Sequence, residues 1–406
     1  MSKRYGIGRY LTGATAARTG DEMSGPALLL VGLSVTGSAS TASALLSGIT
    51  LSAAVGGPVF GVLLDRAARP GRLLTTALAA YSLALLAILL GLGRLPLPVV
   101  LATALCGGLL GPALAGGWTS QLPQVAAPGN LPRATALDAL TYNFASLAGP
   151  ALAGAVAMAA GAPAGVVVSL ALVVLALPAA WTLPAPSPTP ATAPASVIAD
   201  LRSGFAVIGR VRPLARATLT SVISYVGVGT LVTCTPLLGE RALGATDSGT
   251  FLLAALAAAS LATNALLARS PGALRPDATI LASTLALAGA LLLAATLTPL
   301  ALFAAMAVAG AGAGPQLTAL FAVRHREAPA HLRGQIFTTG ASLKITGYAI
   351  GAGLGGPLAT WSLPGALLVA AGFEALAALC FVALTGVGRG RRPGVPQRAQ
   401  GTRTSP

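Results

Sequence analysis

Residues 56–72 read GGPVFGVLLDRAARPGR. An apolar run ends at Asp65-Arg66, Arg69 and Arg72 follow, and a new apolar run begins at Leu73. Pro70-Gly71 stops a helix and turns the chain. Three guanidinium groups cannot cross a bilayer cheaply. The stretch therefore reads as a short cytoplasmic hairpin between two membrane helices, with glycines that allow close helix approach.

The composition outside the hairpin agrees. The chain has 406 residues, of which 55% are hydrophobic and 9% charged, against roughly 25% charged in a soluble domain. Apolar blocks of about 20 residues recur from end to end, each long enough to span a bilayer. The alternating pattern of a transmembrane barrel is absent. The fold class is an all-α, multi-pass membrane protein in contact with the lipid bilayer. Twelve spans are expected, at residues 11–34, 42–64, 73–93, 97–120, 135–160, 164–183, 214–238, 247–268, 278–296, 299–323, 334–359 and 363–385. The start, MSKRYGIGRY, does not read as a cleavable signal.

The net charge of +15 does not point to nucleic acid, because the cations sort by membrane side. Of the 25 Lys and Arg residues, 21 fall in one alternating set of loops and termini, and 2, Arg94 and Arg241, in the other. That bias places both termini in the cytoplasm and implies an even number of spans; a bacterial-type plasma membrane is the expected setting. Cys106, Cys234 and Cys380 lie apart in or near apolar runs and read as small core residues. No metal spacing, nucleotide loop or catalytic motif is present, so neither an enzyme nor a cofactor is expected.

Residues 184–196, PAPSPTPATAPAS, read as a linker. Val197 to Val211 then places Val197, Ile198, Leu201, Phe205 and Ile208 on one face of an amphipathic helix lying on the inner leaflet. The chain divides into residues 1–183, the linker region 184–213, residues 214–386 and a basic tail, 387–406.

The opening hairpin carries a resemblance. Gly61, Leu63, Asp65, Arg66 and Arg69 match the signature loop Gly-x-Leu-x-Asp-Arg-x-x-Arg-Arg of the major facilitator superfamily of secondary transporters, with Pro70-Gly71 interrupting its last basic run. The resemblance implies two pseudo-symmetric six-helix bundles that rock about a central site, a small-molecule substrate, a monomer, and a cytoplasmic gate at Gly61, Asp65, Arg66 and Arg69. Asp65 is expected to cap the start of the next helices and to pair with Arg66, Arg69 or a basic residue of the opposite half. Weak internal repeats agree: Gly111-Pro112 answers Gly314-Pro315, and Arg133 answers Arg333. Span five reads ASLAGPALAG, in which Gly149, Pro150 and Gly154 resemble the interface motif of the superfamily's drug:proton antiporters. That resemblance implies efflux by proton antiport. The antiporters' other marker, an Arg in the outer half of span four, is missing.

Charges inside spans are costly and mark pathways or partners. Arg18, Asp21 and Glu22 lie roughly 10–17 Å into span one, at spacings that let both carboxylates reach the guanidinium. One carboxylate would then remain to carry a proton. An internally neutralised cluster, or a span starting nearer Met23, are the alternatives. Lys344 in span eleven is either a pathway residue paired with Asp21 or Glu22, or structural. Glu374 reads as a structural hydrogen bond to a neighbouring helix. Tyr142, Asn143, Tyr225, Asn264 and Gln316 are possible pathway or interhelical polar residues. His325 and His331 are expected in a solvated cytoplasmic loop. Besides export, an uptake permease and a non-transporting receptor or assembly factor on the same scaffold remain open.

Overall fold

A computed structural model describes residues 6–185, 196–244 and 248–386. Residues 186–195 of the expected linker, the tail from residue 387, Lys3 and Arg4 lie outside them. With the kinked Leu97–Ser120 counted as one helix, the described residues hold twelve helices of 19 residues or more. They are α1 (Ile7–Thr36), α2 (Ala39–Arg66), α3 (Pro70–Gly91), α4 (Leu97–Ser120), α5 (Leu131–Ala160), α6 (Ala162–Trp181), α8 (Arg212–Leu243), α9 (Gly249–Arg269), α10 (Pro276–Ala294), α11 (Pro299–Glu327), α12 (Arg333–Trp361) and α13 (Leu363–Gly386). The shorter α7 (Val197–Arg210) lies between the halves in sequence. Ten of the twelve are long and apolar enough to cross a membrane. The two that fall outside that criterion are α1 and α12, which carry Arg18, Asp21, Glu22 and Lys344.

Turn chemistry sets the helix limits. Pro70 opens α3 and Pro299 opens α11, where a missing N–H costs nothing. Gly37 and Gly244 close α1 and α8 in the left-handed conformation. The helix α4 is not regular. After Gly108 it passes through a π-turn at Ala113–Gly117 before Trp118–Ser120, a distortion often found at functional positions.

Each half packs on its own core. Tyr10, Met23, Leu28, Leu74, Leu78, Tyr81 and Trp118 belong to the first, and Leu231, Leu252, Leu291, Leu302 and Leu367 to a cluster in the second. Two seams join the halves, α2 against α12 and α5 against α9. At the centre a cluster draws on both: Ala139 and Tyr142 from α5, Leu317 and Phe321 from α11, and Phe337 from α12.

The α2–α12 seam is tight at the end that carries the basic loops. A Cβ on Gly57 would run into Ser342 and Thr338, and one on Gly61 into Thr338 and the Gln335 backbone. Ser342 Oγ donates to Ala53 O at 2.6 Å. Nearer the opposite end, Thr50, Leu51 and Ala54 of α2 and Ile345, Thr346, Ala349 and Ile350 of α12 line a cleft of about 250 Å³. The α2–α12 seam is therefore closed at the basic-loop end and parts above it.

Because no side chain fits between α2 and α12 at residue 61, Gly61→Val is expected to hold the basic-loop end apart. Spin labels on Arg69→Cys and His331→Cys, both exposed positions, should lie farther apart in that variant than in the glycine parent. Unchanged distances would show that the seam yields elsewhere.

Candidate functional site

The closed end is held by a helix cap supplied from the other half. Helix α12 begins without a side-chain cap of its own, which leaves its first N–H groups without intrahelical acceptors. Asp65, at the end of α2, accepts from Gly334 N at 2.7 Å and from Gln335 N at 2.8 Å. A carboxylate there also meets the positive end of the helix dipole. Asp65 does cap a helix, but it is α12 of the opposite half and not the helix that follows it in the chain. Among the described residues Asp65 forms no ion pair with Arg66 or Arg69. Arg66 instead pairs with Asp200 of α7 at 2.6 Å. Gln335 Nε2 donates to Leu201 O at 3.0 Å, so α7 is tied to both sides of the seam.

The span-one trio separates. Arg18 is 2% exposed and turns away from both neighbouring carboxylates. It pairs with Asp138 of α5, which is fully buried, at 2.8 Å. Arg18 also donates to Thr119 Oγ1 at 2.8 Å, to Thr141 Oγ1 and to the Asp138 carbonyl. Its guanidinium lies 3.8 Å from the centre of the Tyr142 ring. Asp138 accepts in addition from Tyr10 Oη at 2.9 Å and Thr119 Oγ1 at 2.9 Å. Thr119 is aimed inward by the irregular end of α4. The reading of an Arg18 shared with Asp21 or Glu22 is thus corrected. The i,i+3 and i,i+4 spacing allowed those pairs, but a buried guanidinium gains more from a partner that packing holds opposite it and that further hydroxyl donors support. Asp138 lies three residues into the expected span five, 135–160, and nothing near it in sequence pointed to a partner on span one.

Asp21 and Glu22 are left without a cation. Asp21 is half-buried and accepts from Tyr81 Oη of α3 at 2.8 Å. Tyr81 is in turn 2.8 Å from Ser24 Oγ. Glu22 is exposed and makes no ion pair among the described residues. It lies within electrostatic reach of Tyr225 and Tyr348 of the second half, and so faces the space between the halves.

On the opposite wall Lys344 is half-buried, with its Nζ 3.8 Å from the centre of the Tyr225 ring. No carboxylate among the described residues lies within ion-pair distance of it, so the expected pairing with Asp21 or Glu22 does not form in this state. Arg324 and His325 need a second correction. Helix α11 runs on to Glu327, and both residues are buried, 2% and 8% exposed, rather than solvated in a loop. His325 stacks 4.6 Å from the Phe337 ring. His331 is exposed, as expected of a loop residue.

The remaining polar residues act within the second half or within one seam. Glu374 accepts from Ser224 Oγ at 2.9 Å, and Gln316 Nε2 reaches Thr284 Oγ1 at 3.0 Å. Asn264 accepts from Thr318 Oγ1 at 3.0 Å. These are interhelical hydrogen bonds. Asn143 is half-buried beside Tyr142. Gly149 packs against the backbone of Glu22 and Met23, so it seats α5 on α1 inside its own half. Pro150 lies inside α5, and Gly154 meets nothing within 4 Å.

The sequence matches the Major Facilitator Superfamily over residues 10–344. The protein is a member of that superfamily. It is 27% identical over 410 residues to an uncharacterised transporter of the same type from Sinorhizobium fredii, with 95% of this chain and 96% of the relative covered. Among solved structures, its fold is similar to that of the human organic anion transporter MFSD10, with a TM-score of 0.76, 15% identity, and 94% of this chain and 100% of the other covered. It is equally similar to a bacterial homologue of the iron transporter ferroportin in an outward-facing state, with a TM-score of 0.76, 16% identity, and 94% and 99% covered. The superfamily protein is a multi-pass membrane transporter, and its signature-loop residues lie on the seam that closes one end.

Asp138→Asn should leave Arg18 buried beside a neutral partner. The expected loss is about 3–5 kcal/mol of stability, the usual cost of breaking a buried pair from one side. Replacing both, Arg18→Met with Asp138→Leu, should recover most of it. Thermal melting of the purified protein in one detergent reads both. Equal melting of parent and Asp138→Asn would remove the pair from the foundations of the first half.

Proposed function

We propose that the protein is a proton-coupled secondary transporter of a bacterial-type plasma membrane that exports small, largely apolar molecules by antiport, with both termini cytoplasmic. The observation that carries this reading is the commitment of Arg18 to Asp138. It leaves Glu22 in the middle of α1, facing the space between the halves, with no cation beside it. An intramembrane carboxylate of that kind is by default part of a proton or ion pathway. Glu22 is the proton carrier in this reading. Asp21, hydrogen-bonded to Tyr81, is its neighbour on the relay.

The export direction rests on the antiporter-like motif of α5, and the state of the cavity is a separate matter. The basic loops lie at the closed end, so under the positive-inside rule the cavity opens away from the cytoplasm. The ferroportin homologue with the same fold was likewise captured outward-facing. Gly149 of the antiporter-like motif packs directly on the Glu22 backbone, so movement of α5 about Pro150 is felt at the proton site. A carrier that holds either a proton or cargo exchanges one for the other as the halves rock. The cavity is formed within one chain, which is consistent with a monomer. The fold likeness at 15% identity carries over no cargo.

A drug and metabolite susceptibility panel on a deletion strain, with complementation, supplies the cargo for the decisive assay. Wild-type protein in liposomes should then take up protons as cargo leaves. Glu22→Gln should lose uphill transport and keep downhill exchange, which needs no net proton release. Proton exchange like that of wild type in both Glu22→Gln and Asp21→Asn would make the pair structural. Asp65→Asn, which weakens the α12 cap, should slow turnover about tenfold while insertion stays intact, as expected for loss of charge-assisted hydrogen bonds. Normal turnover of that variant would remove the gate role.

A further inference from the structure

The two walls of the central cavity carry opposite charges that do not meet. On the first-half wall stands Glu22, exposed, with Asp21 beside it. On the second-half wall stands Lys344, resting on the Tyr225 ring. Beneath Lys344 lies Arg324. Its guanidinium packs against Gly340, where a Cβ would collide with it. Gly340 and Lys344 are one turn apart on one face of α12, so the two cationic heads lie on the same side, within electrostatic reach of each other. Arg324 Nε and Nη2, although buried, have no hydrogen-bond partner among the described residues. Native interiors seldom leave such groups unpaired. The fully buried carboxylate of the first half, Asp138, already accepts from Arg18, Tyr10 and Thr119. In the second half the buried Glu374 accepts from Ser224 Oγ and pairs with neither Lys344 nor Arg324 among the described residues; the two cations thus have no counter-ion there, and Glu22 has no cation on the first wall.

Three half-buried tyrosines, Tyr142, Tyr225 and Tyr348, line the space between. Arg18 covers one face of Tyr142 and Lys344 one face of Tyr225; the ring surface left over suits an apolar or aromatic body. Glu22 and Lys344 each lie near Tyr225, from opposite walls, yet form no ion pair with each other.

We propose that the cavity binds a charge-separated zwitterion, with its ammonium end on Glu22, its carboxylate end on Lys344 above Arg324, and an apolar body against the tyrosines between. This rests on the transport reading and narrows its cargo to an apolar body that carries a charge at each end. An ammonium that occupies Glu22 excludes a proton from the same carboxylate, so cargo and proton take turns there, as antiport requires. A purely anionic cargo would load together with the proton and would not.

The test uses four matched probes on the full-length protein in nanodiscs. They are 4′-(aminomethyl)biphenyl-4-carboxylate, its N-acetyl form (anion only), its carboxamide (cation only) and the doubly blocked neutral compound. Equilibrium binding is measured by calorimetry, with the protons released. The zwitterion should bind at least about tenfold more tightly than either half-blocked probe, the usual value of one charge-assisted contact. Glu22→Gln should bring the zwitterion down to the affinity of the N-acetyl probe without changing that probe's own affinity. Lys344→Gln should do the same toward the carboxamide. Arg324→Gln should weaken only the two carboxylate-bearing probes. Proton release should accompany the two ammonium-bearing probes alone. Because each variant is checked by a probe it still binds, misfolding cannot imitate the pattern. Equal affinities for all four probes, no binding of the zwitterion at millimolar concentration, or variants that weaken every probe alike would overturn the proposal. If the pattern holds but no probe moves uphill in liposomes, the site stands and the transport reading falls. Uphill flux of the neutral probe without charge preference does the reverse.

Discussion

A single buried ion pair arranges the first half. Arg18 and Asp138 come from α1 and α5, helices that are not neighbours in sequence, and each is almost wholly withdrawn from solvent. Such a pair is tolerable only when its other donors and acceptors are also met. Here Thr119, Thr141 and Tyr10 meet most of them, and the Tyr142 ring covers the guanidinium face. Because the cation is engaged there, Asp21 and Glu22 must be served by hydroxyl groups or by the cavity. The chemistry available to the cavity follows from where Arg18 points.

A second constraint joins the halves. The first turn of α12 lacks its own cap, and the acceptor it needs is on α2. Closing the seam satisfies two backbone donors, and opening it returns them to water. The glycines at 57 and 61 are what let the helices come close enough for Asp65 to reach. Helix α7 adds a tie through Arg66–Asp200 and Gln335–Leu201. Asp65 of the signature loop thus caps a helix of the other half in this structure, and Arg66 pairs with α7 and not with Asp65.

Between these two constraints lies an aromatic floor, Tyr142, Phe321 and Phe337, with rings 5.4 and 5.8 Å apart. It is contributed by both halves, and it separates the closed seam from the charged walls above. Packing of this kind stabilises helices in lipid, where apolar transfer alone gives little. Arg324 enters this region from below, because α11 continues one turn further than its apolar run suggests.

Much of the architecture was legible in the residues themselves. Apolar blocks of membrane length, proline and glycine at their limits, and cations confined to alternate loops are local properties, and they sufficed for an all-helical, multi-pass chain in two halves. The Asp65 hairpin was legible for the same reason, since its turn chemistry and charges are contiguous. Partnership was not. The spacing of Arg18, Asp21 and Glu22 along one helix permitted a local cluster, and only the packing of α5 against α1 decided for Asp138. Lys344 had no carboxylate to meet once the walls were placed, and Arg324 and His325 passed from loop to interior when α11 proved longer than its hydropathy. Sequence period reports which residues share a helix face. Which faces meet depends on the close approach of helices far apart in the chain, and that is settled only when the whole bundle packs.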